Sequence, residues 1–173
     1  LPMLFLALLD RTGRPWCVPA FGAPGFVVSP APDRLELRGT PVLANELELE
    51  RSTGASVGIV GIDLNNRRRN RMNGRVQHTS GGVMTIQVDQ SFGNCPQYIQ
   101  TRALSAAPDD PKRTSRRQAN LRDPEVRRII EASDTFFIAS RAAGSLDGGS
   151  AGVDASHRGG RPGFLGINDD GTL

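Results

Sequence analysis

The 173 residues fit one domain with one sizeable core, and 20 Gly with 12 Pro favour a turn-rich β protein over a helical bundle. Aromatic residues are 5% of the chain, with one Trp and one Tyr, which argues against a base-stacking nucleic-acid platform; the net charge of +3 is modest. Cys17 and Cys95 cannot form a disulfide framework in so long a chain, and neither lies in a metal-spaced pair. His78 and His157 are far apart, so a reduced, cytoplasmic protein without structural zinc is expected.

In chain order, Met3–Leu9 is a continuous apolar run of strand length, much shorter than the roughly 20 residues of a membrane span. It lacks a basic leader and runs into a turn at Asp10–Arg14. Trp16–Phe21 reads as the returning strand, with Pro19 suggesting an edge or bulge. Phe26–Ser29 follows as a third short strand after Gly22-Ala23-Pro24-Gly25. This closely spaced meander is a barrel signal.

Leu43–Arg51 fits a short helix or an extended arm, and periodicity does not decide between them. Val57–Leu64 reads as a buried strand whose two glycines admit close packing, and Arg69–His78 with Val83–Val88 reads as a hairpin across Thr79-Ser80-Gly81-Gly82. Asn94 is placed to cap a helix from Pro96, with Tyr98 and Ile99 on its buried side. The basic stretch 105–122 is expected to be a mobile insertion, most clearly so in Asp109–Arg122. Asp123-Pro124-Glu125 gives an N-cap, a first-turn Pro and a first-turn acid. Val126, Ile129 and Ile130 supply the apolar face of a helix ending near Ala132. Asp134–Ser140 is the next strand, Gly144–Gly152 a Gly/Ser-rich loop and Phe164–Ile167 a last short strand. Both ends, Leu1 and Leu173, have the look of a domain taken from a longer polypeptide.

The arginines cluster twice: Arg67, Arg68, Arg69, Arg71 and Arg75, then Lys112, Arg113, Arg116, Arg117, Arg122, Arg127 and Arg128. Each cluster is read either as a solvated basic face or as a site for a phosphate-bearing cofactor or polyanion. On a strand, Arg69, Arg71 and Asn73 share one face and suit an oxyanion, since guanidinium groups offer fork-shaped charge-assisted donors. Cross-strand ion pairs on an exposed face are the competing reading.

Ser156-His157-Arg158-Gly159-Gly160-Arg161-Pro162-Gly163-Phe164 reads as a polar loop whose backbone can approach a ligand, or as an ordinary surface turn. Cys95 at a helix N-terminus would have a lowered thiol pKa and could pair with His157 as a nucleophile, or be a small buried residue beside a cap; Cys17 has only a core reading. Asp147 and Asp154 read as turn chemistry, and no carboxylate pair offers itself for acid–base work, so no catalytic residue is assigned.

Several of these strings resemble one family: Asp10-Arg11-Thr12-Gly13-Arg14-Pro15-Trp16, Phe21-Gly22-Ala23-Pro24-Gly25-Phe26, Gly58–Leu64 with Arg67–Gly74, Gly93–Gln100 and Ser156–Phe164, in order from about Leu4 to Phe164. They are similar to the pyridoxamine 5′-phosphate oxidase-related, FMN-binding split-barrel proteins, which include a subgroup fused to a ferredoxin-reductase-like module. The resemblance implies a mainly β fold: a single six-stranded antiparallel split β-barrel domain over 1–173, with a few short helices. It also implies a homodimer with FMN, rather than FAD, at the interface. Carried over, Ser29, Arg69, Arg71, Asn73, Asn94, Ser156, His157, Arg158 and Gly159 are the cofactor-binding candidates, with no metal.

The chain departs from the better-known oxidases in its second strand, Cys17–Gly22, which has neither Arg nor Lys, and in lacking their Arg-x-His-x-Arg signature. The resemblance therefore implies a flavin-dependent oxidoreductase without vitamin B6 oxidation. The alternative is a non-catalytic flavin-binding module serving a reductase, or a haem-binding one with His157 as axial ligand. Binding of nucleic acid through Lys112–Arg128 ranks last.

Overall fold

The structure is a computed structural model that describes residues 3–39, 41, 44–45, 47–103, 120–142 and 152–172. It is mainly β, with nine strands and one short helix among these residues. The strands are β1 (Met3–Leu9), β2 (Pro15–Phe21), β3 (Val27–Ala31), β4 (Arg34–Arg38), β5 (Ser56–Asp63), β6 (Arg68–Ser80), β7 (Val83–Asn94), β8 (Thr135–Ala142) and β9 (Gly152–Gly159); α1 is Pro124–Ala132. Seven strands form one antiparallel sheet in the order β2-β1-β5-β6-β7-β4-β3, and β8 and β9 form a separate antiparallel pair. The expected six strands are thus seven in the main sheet, which the pairings leave open at β2 and β3.

Why β1 and β5 are apolar throughout follows from where they lie. Leu4, Leu6 and Leu8 of β1 and Val57 and Ile59 of β5 join one core with Val18, Ala20, Leu35, Leu37, Val76, Met84 and Ile86. Their neighbours Ala7, Val60 and Ile62 point to the other face, into a second core with Val153 and Ala155 of β9, against which Phe5, Phe137 and Ala139 pack. A strand covered on both faces loses the apolar–polar alternation of a half-exposed strand. The second core is the contact between the large sheet and the β8–β9 hairpin, and Phe5 and Phe137 stack there with centroids 3.4 Å apart.

Local chemistry sets the turns. Asp10 accepts from Thr12 N, Thr12 Oγ1, Arg14 N and Trp16 Nε1, closing the β1–β2 turn; these donors hold its carboxyl well below the usual carboxylate range. Gly81 and Gly82, with φ of 57° and 76°, make the β6–β7 turn, where both central positions need positive φ. The hairpin is longer than expected because β6 starts at Arg68 and β7 runs on to Asn94.

Several expectations are corrected. Asn94 does not cap a helix: it pairs with Arg69 at the end of β7, and strand pairing outcompetes the cap. The chain then turns, Tyr98 is 67% exposed at a positive φ of 64°, and only Ile99 is buried. Cys95 is accordingly at no helix terminus. Ser156–Gly159 is not a loop but the end of β9, paired with β8 along its whole length. Phe164–Ile167 is not a strand; Phe164 N donates to Arg161 O in a turn.

The described part of 43–51 forms turns. Cys17 is half-buried on the outer face opposite Ala7 rather than in the inner core, and its thiol is pushed up to about 11 by burial. α1 begins at its Asp123 cap, whose side chain accepts from Glu125 N, and ends as expected, but buries none of its residues; Ile129 is 56% exposed. Most of the basic stretch 105–122 and of the loop 144–152 lies outside the described residues. No helix among the described residues is long and apolar enough to cross a membrane.

Candidate functional site

The turn between β5 and β6 launches the arginine strand. Asp63 Oδ1 accepts from Asn65 N, Asn66 Nδ2 donates to Asp63 Oδ2, and Asn66 Oδ1 accepts from Arg68 N. These side-chain turns set the register in which Val60 faces Arg71 and Ile62 faces Arg69. Strand alternation then directs Arg69, Arg71 and Asn73 to the outer face, toward β9.

β9 reaches that face because Gly58 carries no side chain: a β-carbon there would lie 2.7 Å from Val153 O and 2.8 Å from Asp154 Cα. The hairpin therefore rests directly on β5 and brings its polar residues against β6. Asp154 forms an ion pair with Arg71 and accepts from Ser156 Oγ at 2.8 Å. Arg69 Nη1 is 3.1 Å from His157 Nδ1, and its Nη2 donates to Cys95 O at 2.8 Å. Arg158 Nη1 donates to the His157 carbonyl, and Arg71 lies over the Phe92 ring at 5.1 Å. Gln100 Nε2 to Gly160 O and Arg102 to Asp134 hold the segment after β7 against the hairpin.

Electrostatics follow from the packing. Burial, then the Arg69 and Arg158 charges, push His157 down to about 4, so the ring is neutral near pH 7. Burial works to raise Asp154, but hydrogen bonds from Arg71, Ser156 and Asn73 outweigh it and hold the carboxyl below its ordinary value. Burial and then the Arg71 and Arg158 charges lower Arg69, which still stays cationic. Three guanidinium groups thus meet one carboxylate. Arg71 is compensated by Asp154, whereas the contacts of Arg69 are to a neutral ring and a carbonyl.

Six buried side-chain polar atoms here have no hydrogen-bond partner among the described residues: Arg69 Nε, Arg71 Nε, Asn73 Oδ1, Asn94 Oδ1, Asp154 Oδ1 and His157 Nε2. They belong to residues that face one another across β6, β7 and β9. Buried polar groups are ordinarily satisfied, so a cluster of exceptions calls for an explanation. Beside it, a groove of about 460 Å³ is lined by residues that include Asn73, Asp89, Gln90, Ser140 and Asp154.

Of the residues singled out in the sequence, Arg69, Arg71, Asn73, Asn94, Ser156, His157, Arg158 and Gly159 come together. Ser29 does not: it is exposed on edge strand β3, three strands from β6, and its hydroxyl donates to Ala31 O. Cys95 contributes its carbonyl to Arg69 rather than a thiol to His157. Asp154 and Phe92 were missed. The alternation Val153-Asp154-Ala155-Ser156-His157 was the signal that β9 is a strand, with Asp154 off its apolar face.

A guanidinium only donates, so His157 Nδ1 accepts from Arg69 and the neutral ring carries its proton on Nε2. That arrangement speaks against haem ligation, which needs a lone pair at Nε2. The described residues hold no group of three or more His, Cys, Asp or Glu side chains suited to a metal ion. Comparison with protein-family models, with curated proteins and with solved structures finds no match to this chain.

Proposed function

We propose that this domain binds FMN as a pyridoxamine 5′-phosphate oxidase-like split barrel, that it dimerises around the cofactor, and that it acts as a flavin-dependent oxidoreductase. The observation that carries the reading is the cluster of six unpartnered buried polar atoms around Arg69 and His157. It mixes donors with acceptors beside a guanidinium that no carboxylate compensates. FMN presents phosphoryl oxygens, hydroxyls, carbonyls and a ring N–H, so it can satisfy both kinds.

The barrel reading is supported by the inner core. Side chains from β1, β2, β4, β5, β6 and β7 share one buried cluster, which one sheet achieves by coiling round its own face. In this reading Arg69 and Arg158 neutralise the phosphate, and Arg71 and Asn73 orient the ribityl side. Phe92 and Tyr98, exposed by 38% and 67%, offer apolar surface to a ring system or a second subunit.

Bound flavin supplies the hydride or electron chemistry. The protein's part is to bind, orient and exclude water. His157 is held neutral and gives no proton relay near pH 7. The same geometry therefore serves the second reading, a flavin-presenting module for a reductase.

The visible spectrum of the purified protein, before and after addition of FMN and removal of excess, tests the proposal. Retained flavin bands that disappear in Arg69→Ala support it, and a colourless protein that takes up no FMN overturns it. Substrate turnover by the isolated domain separates the enzyme from the module.

A further inference from the structure

Three polar residues are among the most deeply buried of those described: Thr85, Ser156 and His157, at 4%, 6% and 3% exposure. The Thr85 hydroxyl is bonded to His78 and that of Ser156 to Asp154. His157 differs. One ring nitrogen faces Arg69 at 3.1 Å and the other, Nε2, has no partner. An unmet donor in so buried a side chain is costly to keep.

We propose that the His157 Nε2–H is a fixed hydrogen-bond donor for an oxygen acceptor of the bound ligand, and that Arg69 is a positioning residue that locks the ring in this tautomer. The acceptor is a carbonyl or phosphoryl oxygen. The proposal rests on the flavin reading only where it names flavin as the source of that oxygen.

The geometry excludes the other tautomer. An Nδ1–H would point at the Arg69 guanidinium, donor against donor. The surroundings also exclude imidazolium. The groups facing the ring are Arg69 from β6, Arg158 from its own strand and the Phe137 ring of β8, centroids 5.3 Å apart. The carboxylate of the same strand, Asp154, is taken by Arg71 and Ser156. Gly159 lets the Tyr98 backbone pack beside the ring: a β-carbon there would lie 2.1 Å from Tyr98 O and 3.1 Å from His157 Cε1, the atom beside Nε2. A neutral donor of this kind keeps its hydrogen across the neutral pH range, and its bond to oxygen does not depend on a titration.

Nitrogen-15 NMR of the two histidine rings, with His78 assigned through His78→Gln, tests the tautomer in the intact domain. The expected result at pH 7 is His157 protonated on Nε2 alone, retained in Arg69→Lys and replaced by a tautomer mixture in Arg69→Met. The Nε2–H resonance is then followed on adding FMN, riboflavin or inorganic phosphate, with flavin uptake read separately from the visible spectrum. A response to FMN and riboflavin assigns the acceptor to the ring or its side chain; a response to FMN and phosphate alone assigns it to the phosphoryl group. Flavin affinity should fall about tenfold in His157→Phe and stay within a few-fold in His157→Gln, whose amide keeps a donor.

An Nδ1–H or doubly protonated ring overturns the proposal. So does bound flavin that leaves the Nε2–H unmoved, an outcome in which the flavin reading survives. A response to phosphate without flavin uptake upholds the donor and sinks the flavin reading. No response and no uptake sink both.

Discussion

The backbone of β9 crosses β5 so closely at Gly58 that a β-carbon on Gly58 would lie 2.8 Å from Asp154 Cα. The contact is backbone against backbone, so no side-chain rotation can relieve it. Gly58→Ala should push the β8–β9 hairpin outward, part Asp154 from Arg71 and destabilise the domain by about 1–3 kcal/mol, the usual cost of overpacking. Urea unfolding reads the stability. An Ala variant as stable as the parent would show that the hairpin does not rest where it is described.

The Arg71–Asp154 pair is mostly shielded, with side-chain exposures of 22% and 24%. Removing either partner strands the other among fixed dipoles. Arg71→Ala and Asp154→Ala should each lose about 1–3 kcal/mol, and the double variant should lose less than their sum. A double-mutant cycle in urea measures the coupling; strict additivity would mean that the two groups do not interact in solution.

His157 ties stability to pH. Its pKa falls from an ordinary 6.5 to about 4 on folding, so between these values the unfolded chain binds more protons than the folded one. Its contribution is whole above pH 6.5, declines as pH falls toward 4 and levels off below, a loss of up to about 3 kcal/mol. His157→Gln removes the titration while keeping a polar amide. The stability difference between parent and variant should therefore shift against the parent from pH 7 to pH 4.5. Parallel pH profiles would contradict the burial of the ring.

The two thiols should react unequally. Cys95 is exposed, whereas Cys17 is half-buried on β2, which packs against β8, and its thiol is raised to about 11. The thiolate is the reactive form, so a native sample treated with a thiol reagent at pH 8 should be modified at Cys95 and spared at Cys17 until it is denatured. Peptide mapping reads the sites, and rapid native labelling of Cys17 would place β8 away from β2.

Much of this protein could be read from its residues in order. The apolar runs at Met3–Leu9 and Val57–Leu64 became β1 and β5, Asp123 capped a helix ending at Ala132, and the Gly81-Gly82 turn joined a hairpin. Each is a local matter of side-chain period, cap or allowed φ. Period 2 was also enough to put Arg69, Arg71 and Asn73 on one face.

What that face meets was decided by tertiary packing. Ser156–Gly159 looked like a loop because glycines and polar residues dominate it, yet pairing with β8 makes it a strand, and the bare Cα of Gly58 lets it lie on β5. Asn94 could have capped a helix, but the ladder to Arg69 claimed it. Asp154 was a plain turn residue until a strand far earlier in the chain, β6, presented Arg71 to it. Local sequence sets which faces are polar, whereas the partner of each polar group depends on which strands pack together, and no period or spacing along the chain carries that information.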